Sequence, residues 1–303
     1  MDAIVILDKP KGMTSQRAVE RVKSILKAKR AGHTGTLDPF ATGVLPICLG
    51  ESTKIIPFLD EDLKEYEAVL KLGVETDTMD YTGRIIGEKG IGTLDESDIQ
   101  RVFLKFRGEI RQIPPMFSAL KKGGVRLYSL ARRGKEVPRP SRTVVIRELN
   151  LLDLDLPFIR FFVRCSRGTY IRVLGSDIGK ELGFGGHLVE LRRIRSGVFG
   201  IEDAASIEDV EKGNFNPVSM NEALSHMKEI NVTNGVAAGI RDGKQITKSD
   251  LGSTSVPEFE VGARLRICEN QKLVSIVQAL ARDYDLDRLD DREVVFRLLR
   301  VFN

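Results

Sequence analysis

The sequence predicts an α+β protein: a mixed β-sheet with flanking helices, followed by a small β-barrel. Three observations predict it. Near the N-terminus the apolar residues switch from a continuous run at Ala3–Leu7 to helical spacing at Val19, Val22, Ile25 and Leu26. Residues 143–155 and 158–165 alternate apolar and polar on either side of Leu156-Pro157, the pattern of a hairpin. From about residue 229 the texture changes to short strand-like runs separated by Gly239 and Asp242-Gly243, for which a compact β-rich module is the economical reading.

Taken in order, Ala3–Leu7 reads as a first strand. Its apolar stretch is short and follows Asp2, which fits a strand better than a signal peptide. Thr14 or Ser15 then caps a helix, which ends in Lys27-Ala28-Lys29-Arg30, cations at the favourable terminus. Tyr66–Gly73 and Arg84–Gly87 read as strands, and Val102, Phe103 and Phe106 suggest a helix over 95–106. Residues 107–142 are rich in Gly, Pro and Arg and read as an insertion leaving the main body. After the hairpin, Thr169–Leu182 reads as a helix stopped by Gly183, and Leu188–Arg195 as a returning strand. Ile230–Val232, a short helix, Ala263–Cys268 and Leu273–Leu280 make up the last module. The expected division is 1–228 and 229–303.

A chain of 303 residues can bury a substantial core and is long enough for two domains. It has no apolar run of about 18 residues, so no helical membrane span is expected. Cys48, Cys165 and Cys268 are odd in number, far apart and without a CxxC pair. That usage argues for a reducing, cytoplasmic setting without a disulfide framework or zinc ribbon. His33, His187 and His226 are equally scattered, so no metal is expected. Net charge is only +4, but residues 101–147 hold thirteen Lys/Arg against Glu109 and Glu136, a local +11 that leaves −7 on the rest. Such a block is the footprint of a polyanion partner, or else a solvated face. Gly123-Gly124, Pro138 and Pro140 interrupt any continuous amphipathic helix, which disfavours a membrane surface.

The stretch from Gly32 to Gly43 holds one carboxylate, Asp38, among glycines, small hydroxyls and Pro39. Gly-rich backbone and a proline can hold such a side chain rigidly and present it outward. An Asx turn in which Asp38 only caps Phe40 or Ala41 is the plainer alternative from composition alone. The loop is no phosphate-binding P-loop, because the lysine that motif needs is missing.

Residues 32–46, followed by Leu49–Lys54, closely resemble the signature loop of the bacterial tRNA pseudouridine-55 synthases, the TruB family. Leu7–Ser15 resembles that family's lysine-proline motif, and Ser166–Arg172, His187–Arg193 and residues 114–134 match further blocks in family order. Departures are Thr36, Phe40, Ser52, Gly186 and Ile194, none at a position with a chemical role. The resemblance spans roughly residues 4–200. It implies a pseudouridine synthase core, and less specifically a C-terminal PUA-like barrel.

The implied reaction breaks the N1–C1′ bond of a uridine in the tRNA T-loop, turns the base and joins C5 to C1′. It is redox-neutral and implies no cofactor. It needs the uridine out of its stack, a group to act on the sugar or base, and a base for the C5 proton. The resemblance implies Asp38 as the nucleophile, with Arg172 keeping it charged. An arginine suits that task, because its planar fork grips a carboxylate at both oxygens and does not lose its proton. Tyr66 is implied to stack on the flipped base and to accept or relay the C5 proton. A phenol is a poor resting base, so it would need activation. Tyr170 and Leu191 are implied as pocket walls. His33 would fill the gap left by the extruded base, Lys9 would support the loop, and Asp80 would lie near the RNA. In isolation Tyr170 and Leu191 read as core, Arg172 as a surface cation and His33 as a solvated loop residue.

The implied partner is tRNA, its T stem-loop on the basic segment and its acceptor end on the C-terminal module. A standalone monomer without guide RNA is expected, because the chain starts at its first strand, whereas guide-dependent relatives carry N-terminal extensions. An RNA-binding protein that refolds tRNA without chemistry would share the basic block. It would gain nothing from a desolvated Asp38–Arg172 pair. A glycosidase would need a second carboxylate with a defined role, and none stands out.

Overall fold

The computed structural model describes residues 1–303 apart from 60–62, 119, 132, 136 and 253. The strand Lys64–Leu72 alternates strictly, with Tyr66, Ala68, Leu70 and Leu72 buried on one face. It pairs antiparallel with Phe158–Cys165 on one side and Gly186–Ser196 on the other. Around it runs a nine-stranded mixed sheet. Its order is Ile4–Lys9, Thr42–Leu49, Gly186–Ser196, Lys64–Leu72, Phe158–Cys165, Arg142–Asp155 and Gly108–Gln112, with Ala31–His33 and Phe199–Gly200 attached at the sides.

Three eleven-residue helices position the site. Thr14 accepts a hydrogen bond from the Arg17 N–H at 3.1 Å and so starts Ser15–Ile25, which buries Ala18, Val19 and Val22. Asp95 and Asp98 form a reciprocal capping box for Glu96–Phe106, whose Phe103 meets Phe161 edge-on at 5.9 Å. The helix Ile171–Glu181 comes very close to the chain at Gly185, where a Cβ on Gly179 would lie 2.6 Å from backbone carbon.

The predicted helix at 95–106 and the hairpin at 143–165 are present, as is the strand 188–195, which extends to Gly186–Ser196. The strand Thr42–Leu49 was not anticipated. Gly43 and Pro46 disguise it, yet seven of its eight residues are buried. It runs parallel to Gly186–Ser196, with Arg192 and Arg193 against Thr42 and Gly43. Gly43 has φ +100°, and a Cβ there would sit 2.1 Å from the Arg193 carbonyl oxygen. Gly43→Ala is expected to destabilise the fold by at least about 2 kcal/mol, measured by denaturant unfolding.

The insertion read at 107–142 begins later than expected. Gly108–Gln112 is the edge strand of the main sheet, paired in register from Gly108 against Ile146 to Gln112 against Arg142. Its charged residues suit an exposed edge and hid it among loop-like composition. The segment that leaves the sheet spans 113–141 and carries the short hairpin Lys121–Lys122 and Val125–Arg126 and the short helix Leu127–Ala131. Residues 119, 132 and 136 of the basic segment lie outside the described residues.

Two compact units divide the chain: Val5–Ile47 with 60–216, and Met1–Ile4 with Cys48–Leu59 and Pro217–Asn303. In the second, where the sequence predicts a small barrel, the described strands form a curled five-stranded sheet. Its order is Lys228–Asn231, Arg264–Glu269, Lys272–Ala279, Val294–Val301 and Ile246–Thr247, over a core including Ile230, Ile240, Ile267 and Phe296. Val294–Val301 was missed because Arg297 and Arg300 break up its apolar pattern. Among the described residues no helix is long and apolar enough to cross a membrane, and Cys48, Cys165 and Cys268 are free and buried.

Candidate active site

Asp38 sits in a loop that is tied down at nearly every residue. The Ser15 hydroxyl accepts from the Leu37 N–H at 2.9 Å and donates to its carbonyl at 3.1 Å. The Gly12 N–H donates to the Pro39 carbonyl at 2.7 Å, and the Ala41 N–H to the Asp38 carbonyl at 3.1 Å. Lys9, fully buried, donates to the carbonyls of Pro10 at 2.9 Å, Met13 at 2.8 Å and Pro39 at 3.4 Å. Here the ammonium works as a three-way brace. Burial lowers its pKa from the ordinary 10.5 to about 8, against the opposing pull of Asp38. The folded chain therefore releases this proton at lower pH than the unfolded chain. Relative to Lys9→Met, the wild type is expected to gain stability as pH rises from about 8 to about 10.5, where the unfolded state binds more protons. Paired unfolding curves at both ends of that window measure the gain.

The Asp38 carboxylate meets Arg172 rather than capping its own turn. Arg172 Nε donates to Oδ2 at 2.8 Å and Nη2 to Oδ1 at 3.0 Å, a bidentate pair. Arg172 is 3% exposed and the Asp38 side chain 33%. The rest of the guanidinium is also engaged. Nη1 donates to the Thr78 carbonyl at 2.7 Å and lies 3.6 Å from Asp80 Oδ2, and Nη2 donates to the Phe117 carbonyl at 2.8 Å. Asp80, itself buried, accepts from Thr78 Oγ1 and the Thr82 N–H, each at 2.9 Å. The loop, the first turn of the Ile171–Glu181 helix and the turn at 76–83 thus converge on one guanidinium.

Tyr66 and Arg193 are directly opposed across the sheet, and Ala68 and Leu191 are the next pair on that face. Burial pushes the Tyr66 phenol up, and the positive charge of the Arg193 guanidinium opposite it opposes that shift. Arg193 is 1% exposed and also donates to the carbonyls of Val44 at 2.7 Å and Gly35 at 3.1 Å. Tyr170 immediately precedes the helix, with the Arg142 guanidinium 5.9 Å from its ring centre. His33 ends the strand Ala31–His33 and is half-buried.

Sequence reading passed over Arg193 and Gln112. Gln112 is buried and exchanges two hydrogen bonds with the backbone of Tyr170, at 2.9 and 3.2 Å, which fixes the start of the helix that carries Arg172. The signal for Arg193 was its register: two residues after Leu191 on an alternating strand, it had to share the buried face. Among the described residues no cluster of His, Cys, Asp and Glu could hold a metal.

This geometry stands within a widely shared framework. The family model described as TruB family pseudouridylate synthase (N terminal domain) matches residues 23–171. That of the tRNA pseudouridylate synthase B C-terminal domain matches residues 172–227. The chain is 43% identical over 309 residues to a tRNA pseudouridine synthase B of Geobacter sulfurreducens, covering 100% of both. It is 41% identical over 310 residues to one of Syntrophus aciditrophicus, covering 100% of this chain and 99% of that protein. A chain of a solved Cbf5–Nop10–Gar1 complex superposes with a TM-score of 0.77 at 27% identity, covering 99% of this chain and 85% of that one. With full-length identity above two-fifths and both family models in sequence order, the chain belongs to the TruB family of pseudouridylate synthases, the tRNA pseudouridine synthase B enzymes.

Proposed function

We propose that this enzyme converts the uridine at position 55 in the T-loop of tRNA to pseudouridine, using Asp38 as nucleophile on a base flipped out of its stack. The observation that carries this reading is the bidentate Asp38–Arg172 pair, with a buried cation holding a carboxylate that keeps one-third of its surface open. The Asp38 loop is braced by Lys9, Gly12 and Ser15, so the carboxylate needs little reorganisation to act. In the reaction the N1–C1′ bond breaks and the C5–C1′ bond forms. C5 gives up its proton and N1 gains one, so no redox partner or energy donor enters. Tyr66 stacks on the base and takes or relays the C5 proton. Arg193, opposite that phenol across the sheet, offsets part of the penalty of ionising it in a buried site. Tyr170 and Leu191 flank the base, His33 fills the space it leaves in the RNA loop, and Asp80 steadies Arg172.

The basic insertion, read at 107–142, neutralises phosphates of the stem-loop, and residues 229–303, read as a PUA-like RNA-binding barrel, take the acceptor end. The protein works as a cytoplasmic monomer without guide RNA. Mapping pseudouridine in bulk tRNA from cells with and without the protein tests this: position 55 is expected to lose its modification in its absence. Unchanged modification at that position, with other uridines affected, would overturn the substrate assignment.

A further inference from the structure

Tyr81 immediately follows Asp80, yet nothing in the reaction just described uses it. The residue is 42% exposed. The backbone beneath it is rigid: its N–H donates to the Leu188 carbonyl at 2.9 Å, and the Asp80 carboxylate accepts from Thr82 on its other side. Phe40, two residues after Asp38 and buried, meets the Tyr81 ring at 88° with centroids 5.9 Å apart. The Lys11 ammonium stands 4.6 Å from the centre of the same ring. Lys11 itself belongs to the turn whose next residue, Gly12, is bonded to Pro39 of the Asp38 loop. A half-open aromatic ring and a mobile-stemmed cation therefore sit together where the three segments that build the site come together.

Packing alone does not call for this arrangement. Phe40 is 4% exposed, so an aliphatic residue at position 81 would shield it equally, while an exposed phenol ring with an ammonium beside it matches a nucleotide: a flat π-face for the base and a point charge for the phosphate. The geometry points to Tyr81 and Lys11 as a stacking subsite for a base that neighbours the reacting uridine in the RNA, Tyr81 taking the base and Lys11 the adjoining phosphate. This subsite rests on the proposed RNA reaction at Asp38. It supplies binding and register rather than chemistry.

The test measures Kd at fixed salt for a T stem-loop RNA, and for versions in which each base flanking the target uridine is removed in turn, leaving the ribose. Tyr81→Leu is expected to weaken binding of the intact RNA by about tenfold, and Tyr81→Phe to restore it. On the RNA lacking the one base that stacks on Tyr81, the leucine variant and wild type are expected to bind alike. Lys11→Met is expected to lower the slope of log Kd against log salt by about one. Wild-type affinity in Tyr81→Leu, or the same weakening on every RNA whichever base is missing, would overturn the subsite. Failure of the wild type to release the C5 hydrogen of the target uridine would count against the proposed reaction instead. Because the subsite is read out by binding, the two failures are distinguishable.

Discussion

Asp38→Asn is expected to abolish turnover, lowering single-turnover release of tritium from C5-labelled uridine by more than about 10⁴-fold, while tRNA affinity stays within a few-fold. The reasoning is electrostatic and steric together. The amide is nearly the same size and can still accept from Arg172, so the loop held by Ser15, Lys9 and Gly12 keeps its shape. What disappears is the negative charge and the oxygen pair proposed to act as nucleophile. Affinity is expected to persist because phosphate contacts supply most of the binding energy of an RNA-binding protein, and the proposal assigns them to the basic insertion rather than to a carboxylate. Restored turnover in this variant would remove the carboxylate from the chemistry.

Arg172→Met carries the second large effect, and it falls on stability and activity together. The guanidinium is 3% exposed and satisfies Asp38, the Thr78 and Phe117 carbonyls, and the field of the buried Asp80. Methionine fills the volume but leaves the Asp38 carboxylate and two carbonyls without their donor, and Asp80 without its counter-charge. Breaking such a pair from one side is expected to destabilise the fold by about 3–5 kcal/mol, measured by chemical unfolding. Activity is expected to fall by at least about 10³-fold under conditions where the variant remains folded, since the Asp38 carboxylate loses the cation that aims it. Arg172→Lys is expected to recover part of the stability but little of the activity, because one ammonium cannot span both carboxylate oxygens and reach the two carbonyls as well. Full activity in the lysine variant would mean that charge, and not the fork geometry, is what the site needs.

Much of this arrangement is readable from residue order. The Asp38 loop announces itself through its glycines and Pro39, and the helices and the long hairpin follow their periodicities. Three features around the site resisted reading, each for a physical reason. Thr42–Leu49 is a buried strand with a proline inside it, and local propensity argues against such a strand until the neighbouring strands are known. Gln112 looks like part of an Arg-rich loop. Its role exists only because the edge strand brings it to Tyr170, fifty-eight positions away in the chain. Arg193 reads as one of several surface arginines, yet it is buried opposite Tyr66. Long-range pairing decides the first two; for Arg193 the alternation after Leu191 signals a buried position, and only the pairing supplies its partner Tyr66.

The most direct measurement is a structure of the protein bound to a T stem-loop RNA carrying an unreactive C5-substituted uridine at the target position. That nucleotide is expected to be turned out of the RNA stack, its base against Tyr66 and Leu191, and the Asp38 carboxylate within about 3.5 Å of a sugar or base carbon while still held by Arg172. A target uridine that remains stacked in the loop, or an Asp38 that reaches Arg172 but no atom of the nucleotide, would contradict the proposed reaction.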